Sequence, residues 1–228
     1  MFSRSTALLG KESMALLQSK RVILFGIGGV GSWCAEALVR TGLTHLTIVD
    51  DDIVQPSNLN RQLPATQATI GLPKVEALKE RLLAINTKAE IIARCERVNG
   101  EWLAANSLAE YDYVIDAIDS VADKTDLILY ASRVRALKVF SSMGAALRFD
   151  PTQVRVAELF DVKGDALAKA VRARMKKIGQ HPNKKIHCVY SLEQAQRCEE
   201  RGSLMQVTAV FGCTLAGLVI EDVKRITQ

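Results

Sequence analysis

The feature that most constrains this chain is a turn of glycines set between two short apolar runs. Val22-Ile23-Leu24-Phe25 leads into Gly26-Ile27-Gly28-Gly29-Val30-Gly31, and a helix-like segment follows over residues 32–41. After the helix-ending Gly42, a second run, Leu46-Thr47-Ile48-Val49, stops at Asp50, nineteen residues past Gly31. Strand, glycine turn, helix, strand and acid in this order form the fingerprint of a nucleotide-binding βαβ unit. Gly26 allows the tight turn, Gly28 lets backbone amides approach a phosphate, and Gly31 lets the helix pack closely on the strand. Gly26, Gly28, Gly29 and Gly31 are therefore candidate nucleotide contacts at a helix N-terminus that favours an anion, and Asp50 is placed to accept hydrogen bonds from a ribose.

The remaining patterns extend this unit into one doubly wound α/β domain, Rossmann-like, with a mostly parallel sheet and helices on both faces. Its parts are an N-terminal arm or helix (residues 1–20), the nucleotide-binding core (21–150) and a short C-terminal extension (151–228). Apolar positions Val75, Leu78, Leu82 and Ile85 predict a helix over 74–85. Strands are expected at 89–93, 111–115 and 138–142, and another at 153–159 lies outside the parallel core. Residues 102–108 read as a brief helix with Trp102 in the core. Residues 165–178 read as a helix with Leu167, Ala170, Val171, Met175 and Ile178 on its apolar face, followed by a short strand at 188–190, a polar loop over 193–203 and an apolar helix from Leu204.

With 228 residues and 48% hydrophobic content the chain can bury a full core, and no linker or low-complexity tract divides it. Residues 1–20 mix polar positions with a helical stripe of Leu8, Leu9, Met14, Leu16 and Leu17, unlike a secretory leader, so a cytoplasmic protein is expected. The longest apolar run, 207–220, contains Thr208 and Thr214 and is too short to span a bilayer, so it is expected in the core rather than in a membrane. Five scattered cysteines without a C-x-x-C pair fit reduced thiols and give zinc no support.

Directly after Asp50 comes a polar loop with Asp51, Asp52, Asn58 and Arg61, and Lys74 follows the turn Gly71-Leu72-Pro73. It lies outside the carboxyl ends of the strands, where open α/β sheets bind ligands. Two cations and an amide can hold the β and γ phosphates of a nucleoside triphosphate. Pairing of Arg61 with Asp51 or Asp52, with Lys74 simply opening a helix, explains the spacing equally well. The fourth strand runs into Asp116-Ala117-Ile118-Asp119. A carboxylate there can hold Mg²⁺ against phosphate oxygens, or Asp119 or Ser120 can cap the next helix. Arg4 stands at the loose leading end of the arm.

Together, Gly26-Ile27-Gly28-Gly29-Val30-Gly31-Ser32, Asp50-x-Asp52, Asn58-x-x-Arg61-Gln62, Gly71-x-Pro73-Lys74-Val75-Glu76 and Asp116-Ala117-Ile118-Asp119 resemble the ubiquitin-activating-enzyme-like superfamily, which adenylates carboxylates with ATP. Phe2-x-Arg4, Ser141-Ser142-Met143-Gly144-Ala145 and Asp150-Pro151-Thr152 are similar to the branch that dehydrates threonylcarbamoyladenosine in tRNA to a cyclic form. The resemblance implies ATP and Mg²⁺, with Asp50 and Asp52 at the nucleotide. It further implies Asn58, Arg61 and Lys74 on the phosphates, Asp119 on the metal, and Arg4 as an arginine finger donated across a homodimer. Adenylation of the threonyl carboxylate would leave ring closure to a nucleophile of the same base, so no enzyme nucleophile is required. It leaves room for a sulfur-transfer partner protein.

Net charge is +5, but residues 163–187 alone carry +7, leaving the rest at −2. Such local concentration argues for an anionic partner at that segment. Lys169, Arg172, Lys176, Lys177, Lys184 and Lys185 are the expected tRNA contacts. Activation of a ubiquitin-like sulfur carrier is the main competing function. The missing C-x-x-C pairs argue against it, and it predicts an apolar docking face. An NAD-dependent oxidoreductase would share the glycine fingerprint but have no use for Arg61 and Lys74, and a nucleotide-sensing scaffold would tolerate loss of Asp119.

Overall fold

The computed structural model describes residues 2–199 and 202–228. Seven strands form one sheet: β1 (Arg21–Phe25), β2 (His45–Val49), β3 (Glu90–Arg94), β4 (Tyr113–Asp116), β5 (Lys138–Ser142), β6 (Val154–Glu158) and β7 (His187–Ser191). Their order is β3-β2-β1-β4-β5-β7-β6. All pair in parallel except β6, which runs antiparallel to β7 at the edge. Strand order, not strand direction, reverses between the parallel neighbours β1 and β4, the topological switch point where a crevice opens in such folds.

The eight α-helices of the described residues are α1 (Ser3–Leu9), α2 (Lys11–Ser19), α3 (Gly31–Thr41), α4 (Lys74–Ile85), α5 (Gly100–Ala105), α6 (Val121–Arg133), α7 (Ala166–Lys177) and α8 (Met205–Ile226). Alternation along β1 divides them into two layers. Val22 and Leu24 pack with Leu38 of α3, Val75 of α4 and Leu215 of α8, whereas Ile23 and Phe25 pack with Trp102 of α5, Leu127 of α6 and Val171 of α7. Each such fully buried side chain contributes about 1.5–3 kcal/mol relative to exposure. Trp102 is a core residue, edge-on to Phe25 at 5.4 Å.

Several boundaries differ from the pattern for local reasons. The arm is two helices, because Gly10 takes φ 87 and breaks the run. The helix expected at 102–108 starts at Gly100, where the Asn99 side chain accepts a hydrogen bond from the Trp102 N–H. On α7 the buried face is Ala168, Val171 and Met175, while Ala170 is half-buried and Ile178, past the last turn, is exposed. In the polar loop, Glu200 and Arg201 lie outside the described residues, as does Met1 of the arm. The helix α8 is long and apolar enough to cross a membrane. It nevertheless buries Val207, Phe211, Leu215, Val219 and Val223 against the sheet and α3.

Candidate active site

The crevice at the switch point has a volume of about 550 Å³, within the usual range for ligand sites. Its floor is the glycine turn. Gly26 has φ 86, and a Cβ there would sit 2.7 Å from the Ala117 carbonyl oxygen. At Gly31 a Cβ would lie 1.8 Å from the Gly26 carbonyl, so the close packing of α3 on β1 excludes every other residue. At Gly28, by contrast, a Cβ would meet only the Gln62 amide nitrogen, at 3.9 Å, so the backbone there stays approachable by a phosphate.

Asp50, at the end of β2, has both carboxylate oxygens engaged: the Ile27 N–H donates to Oδ2 at 2.5 Å and the Asp52 N–H to Oδ1 at 2.9 Å. These contacts aim the carboxylate at the crevice. Burial pushes its carboxyl above the usual range, although Lys74 and the two amides pull the other way. Asn58 is buried and accepts the Gln55 N–H through Oδ1, which leaves its amide nitrogen for a ligand. Lys74, 5% exposed, reaches Asp52 Oδ2 at 2.6 Å.

Arg61 does not pair with Asp51 or Asp52. Its Nη1 donates to the Ser57 carbonyl and to Asn60 Oδ1, Trp33 Nε1 donates to its own carbonyl at 3.1 Å, and it has no carboxylate partner among the described residues. The loop thus holds the guanidinium in place with its charge uncompensated. The two acids after β4 separate sharply. Asp116 is fully buried, accepting from Lys124 Nζ at 2.6 Å and Ser141 Oγ at 2.6 Å, and serves to tie β4, β5 and α6 together. Asp119 is exposed on the crevice wall with no hydrogen bond among the described residues, and Ser120 provides the α6 cap, accepting from the Asp123 N–H. Arg4, on α1, is exposed and does not line the crevice.

The carboxylates of Asp50, Asp51 and Asp52 lie within 4.8 Å of one another. With Asp50 engaged by amides and Asp52 by Lys74, Asp119 is the freer oxygen donor for a hard cation. The residues fit a nucleoside triphosphate with Mg²⁺, and Gln62 adds to that fit: 7% exposed, it has its amide oxygen buried without a partner in the crevice. In the sequence Gln62 stands out only as the last residue of Asn58-x-x-Arg61-Gln62. Thr208 and Ser203 also line the crevice, and the one available signal was a threonine inside an otherwise apolar run. No cysteine lines it among the described residues, and burial pushes the thiols of Cys34 and Cys188 up, away from the reactive thiolate.

In the basic segment the cations divide. Lys163, Lys169, Lys176, Lys177 and Lys185 are exposed. Arg172 instead donates to the Leu159 and Val162 carbonyls, Arg174 pairs with Asp126, and Lys184 donates to the Val134 and Leu137 carbonyls.

Residues 2–227 match the ThiF family. The chain belongs to the ThiF family. It is 39% identical over 178 residues to the tRNA threonylcarbamoyladenosine dehydratase of Bacillus subtilis, covering 78% of this chain and 70% of that one. A solved structure of the Escherichia coli tRNA N6-threonylcarbamoyladenosine dehydratase in complex with ATP superimposes with a TM-score of 0.93 at 34% identity, covering 99% of this chain and 94% of the other. The molybdopterin-synthase adenylyltransferase of Escherichia coli is 37% identical over 139 residues, 61% of this chain and 54% of its own.

Proposed function

We propose that this ThiF-family protein is an ATP-dependent tRNA threonylcarbamoyladenosine dehydratase, working in the cytoplasm. The observation that carries the reading is the charge-uncompensated Arg61 beside Lys74 and the glycine turn, in a chain that aligns over 99% of its length with the ATP-bound Escherichia coli enzyme. The likeness to the molybdopterin-synthase adenylyltransferase covers only 61% of the chain, so tRNA is preferred as substrate. In an oxidoreductase the glycine turn and the α3 N-terminus already meet the dinucleotide pyrophosphate, which leaves Arg61 and Lys74 unassigned.

The threonyl carboxylate oxygen attacks the α phosphorus of ATP, the bond to pyrophosphate breaks, and an acyl adenylate forms. Arg61, Lys74 and the Asn58 amide bind the β and γ phosphates and offset the charge that grows on the leaving group. Asp50 holds the ribose, and Asp119 would hold Mg²⁺, which would supply further charge neutralisation at the phosphates. A nucleophile of the same modified base then attacks the activated carbonyl, closing the ring and expelling AMP. The original carboxylate oxygen leaves with AMP, which accounts for the net dehydration. Lys169, Lys176, Lys177 and Lys185 are the surface cations available to tRNA phosphates. Arg4, which is exposed and does not line its own crevice, is assigned to a second subunit's ATP in a homodimer, and any sulfur-transfer partner would act outside this step.

The test is ligand-dependent melting. ATP with Mg²⁺ at a hundredfold its dissociation constant should add about 2.7 kcal/mol of stability, and AMP should be released only when unmodified-ring tRNA substrate is present. Stabilisation by NAD instead of ATP overturns the reading. Mixed Arg4→Ala and Asp119→Ala subunits should regain part of the activity, and exchange without recovery removes Arg4 from the site.

A further inference from the structure

The crevice has two unlike walls. The wall from the glycine turn to Lys74 and Asp119 is charged, whereas the wall made by Gly144, Ala145 and Ala146 after β5, Leu167 in the first turn of α7, and Ser203 and Thr208 carries no charged side chain. A buried ion pair behind the second wall holds it. Arg148, 3% exposed, donates to Asp165 Oδ2 at 3.0 Å and to the Gly144 carbonyl at 2.9 Å. The same Asp165 oxygen accepts the Gly144 N–H at 3.0 Å, while Oδ1 accepts the Ala168 N–H at 2.9 Å and so caps α7. One side-chain pair therefore locks both the 144–148 turn and the start of the basic helix.

Between the wall and Arg148 stands Leu147, with φ 62 the one non-glycine residue at positive φ among the described residues. Its N–H donates to the Gly202 carbonyl and its carbonyl accepts the Gln196 N–H, so the turn also fastens the loop that brings Ser203 to the crevice. Neither device is explained by stability. A buried ion pair is a weak stabiliser, since desolvation offsets the attraction, and leucine in the left-handed region is strained. Both converge on one wall of the crevice.

We propose that this uncharged wall receives the base and ribose of the tRNA nucleoside being activated, and that Arg148, Asp165 and Leu147 are positioning residues for it. The assignment rests on the adenylation reading. Small uncharged side chains suit a flat nucleoside whose own carboxylate must cross to the ATP side. Because Asp165 neutralises Arg148, the wall offers no competing cation for that carboxylate. Lys169 stands about 200° round α7 from Leu167, so the exposed lysines and this wall share the N-terminal end of one helix but not one face of it.

Kinetics of tRNA-dependent AMP release by the full chain, with ATP dissociation constants measured without tRNA, test the proposal. Leu147→Gly can take the same φ without strain but loses a half-buried side chain and frees the turn to other conformations, and Arg148→Lys keeps the charge but loses the planar fork. Melting of both variants, measured alongside, should show each still folded at the assay temperature. Both variants should raise KM for tRNA on the order of tenfold to a hundredfold, the scale of a misplaced substrate, with kcat less affected and ATP affinity unchanged. An unchanged tRNA KM in Leu147→Gly, or an equal loss of ATP affinity, overturns the positioning role. Wild-type protein that binds ATP yet releases no AMP with tRNA overturns the adenylation reading and this assignment with it.

Discussion

The crevice loop around Arg61 and the basic segment 163–187 both concentrate cations, but their surroundings engage them differently. In the crevice, Arg61 is held by a backbone carbonyl and an asparagine side chain that leave its charge intact, and Lys74 meets one acid that is itself largely exposed. In the basic segment, Arg172 and Lys184 are tied to backbone carbonyls in the loops that flank β6, α6 and β5, and Arg174 is neutralised by Asp126. Counting charge along a sequence measures how much is present. Hydrogen-bond partners decide how much a ligand can use.

The largest expected effect tests the crevice side. Asp119→Ala removes an exposed carboxylate with no partner among the described residues, so stability should change by less than about 0.5 kcal/mol. The chemical step should nevertheless slow by roughly a hundredfold or more, about 3 kcal/mol, the scale of one deleted transition-state electrostatic contact. Turnover at the wild-type rate would make Asp119 a bystander and collapse the contrast with the fully engaged Asp116.

A paired measurement sharpens the basic side. Lys184→Ala strands the Val134 and Leu137 carbonyls and should lower stability by about 1–2 kcal/mol, the low part of the range for a charged donor because Lys184 is half exposed. Its effect on tRNA affinity should be small. Lys176→Glu/Lys177→Glu should do the reverse, leaving stability nearly unchanged while weakening tRNA and lowering the salt slope by about 0.7–0.9 per lost phosphate contact. Equal tRNA affinity and slope in both variants would mean that the exposed lysines are only solvated.

The fold was legible because its signals are local and periodic. The alternating burial of β1, the glycine fingerprint and the apolar spacing of α4 each depend on a few neighbouring residues, and α4 and β5 fall at the expected bounds. The seven-stranded sheet and the family followed from these. What was not legible depends on partners distant in sequence. Nothing in the string Asp116-Ala117-Ile118-Asp119 says that Lys124 and Ser141 will claim the first acid and leave the second open. Likewise Arg148 and Asp165 are seventeen residues apart with no shared motif, yet they meet in the interior behind the crevice. Thr208 becomes a crevice residue only once α8, from the far end of the chain, packs on α3 with Gly212 against the Val30 carbonyl.

The smallest expected effect is a pH dependence confined to the crevice. Burial raises the Asp50 carboxyl above the ordinary aspartate range, with Lys74 and the Ile27 and Asp52 amides offsetting only part of that shift. A raised folded value means that the native protein holds this proton more tightly than the unfolded chain. The associated stability is present below the unfolded value and is lost as pH rises through the folded one. Ionised Asp50 is thus slightly unfavourable in the protein alone, while a ribose needs it ionised as an acceptor. ATP affinity should consequently fall as pH drops through a window lying above that of an ordinary aspartate. Measuring ATP dissociation constants from about pH 4 to pH 8 in wild type and Asp50→Asn isolates the group, since the difference between the proteins cancels titration of ATP itself. Asp50→Asn should bind ATP more weakly near neutrality, and the gap should close as the solution is acidified. A gap of constant size would show that Asp50 does not titrate in contact with the ligand, and the ribose contact would have to be sought elsewhere on the crevice wall.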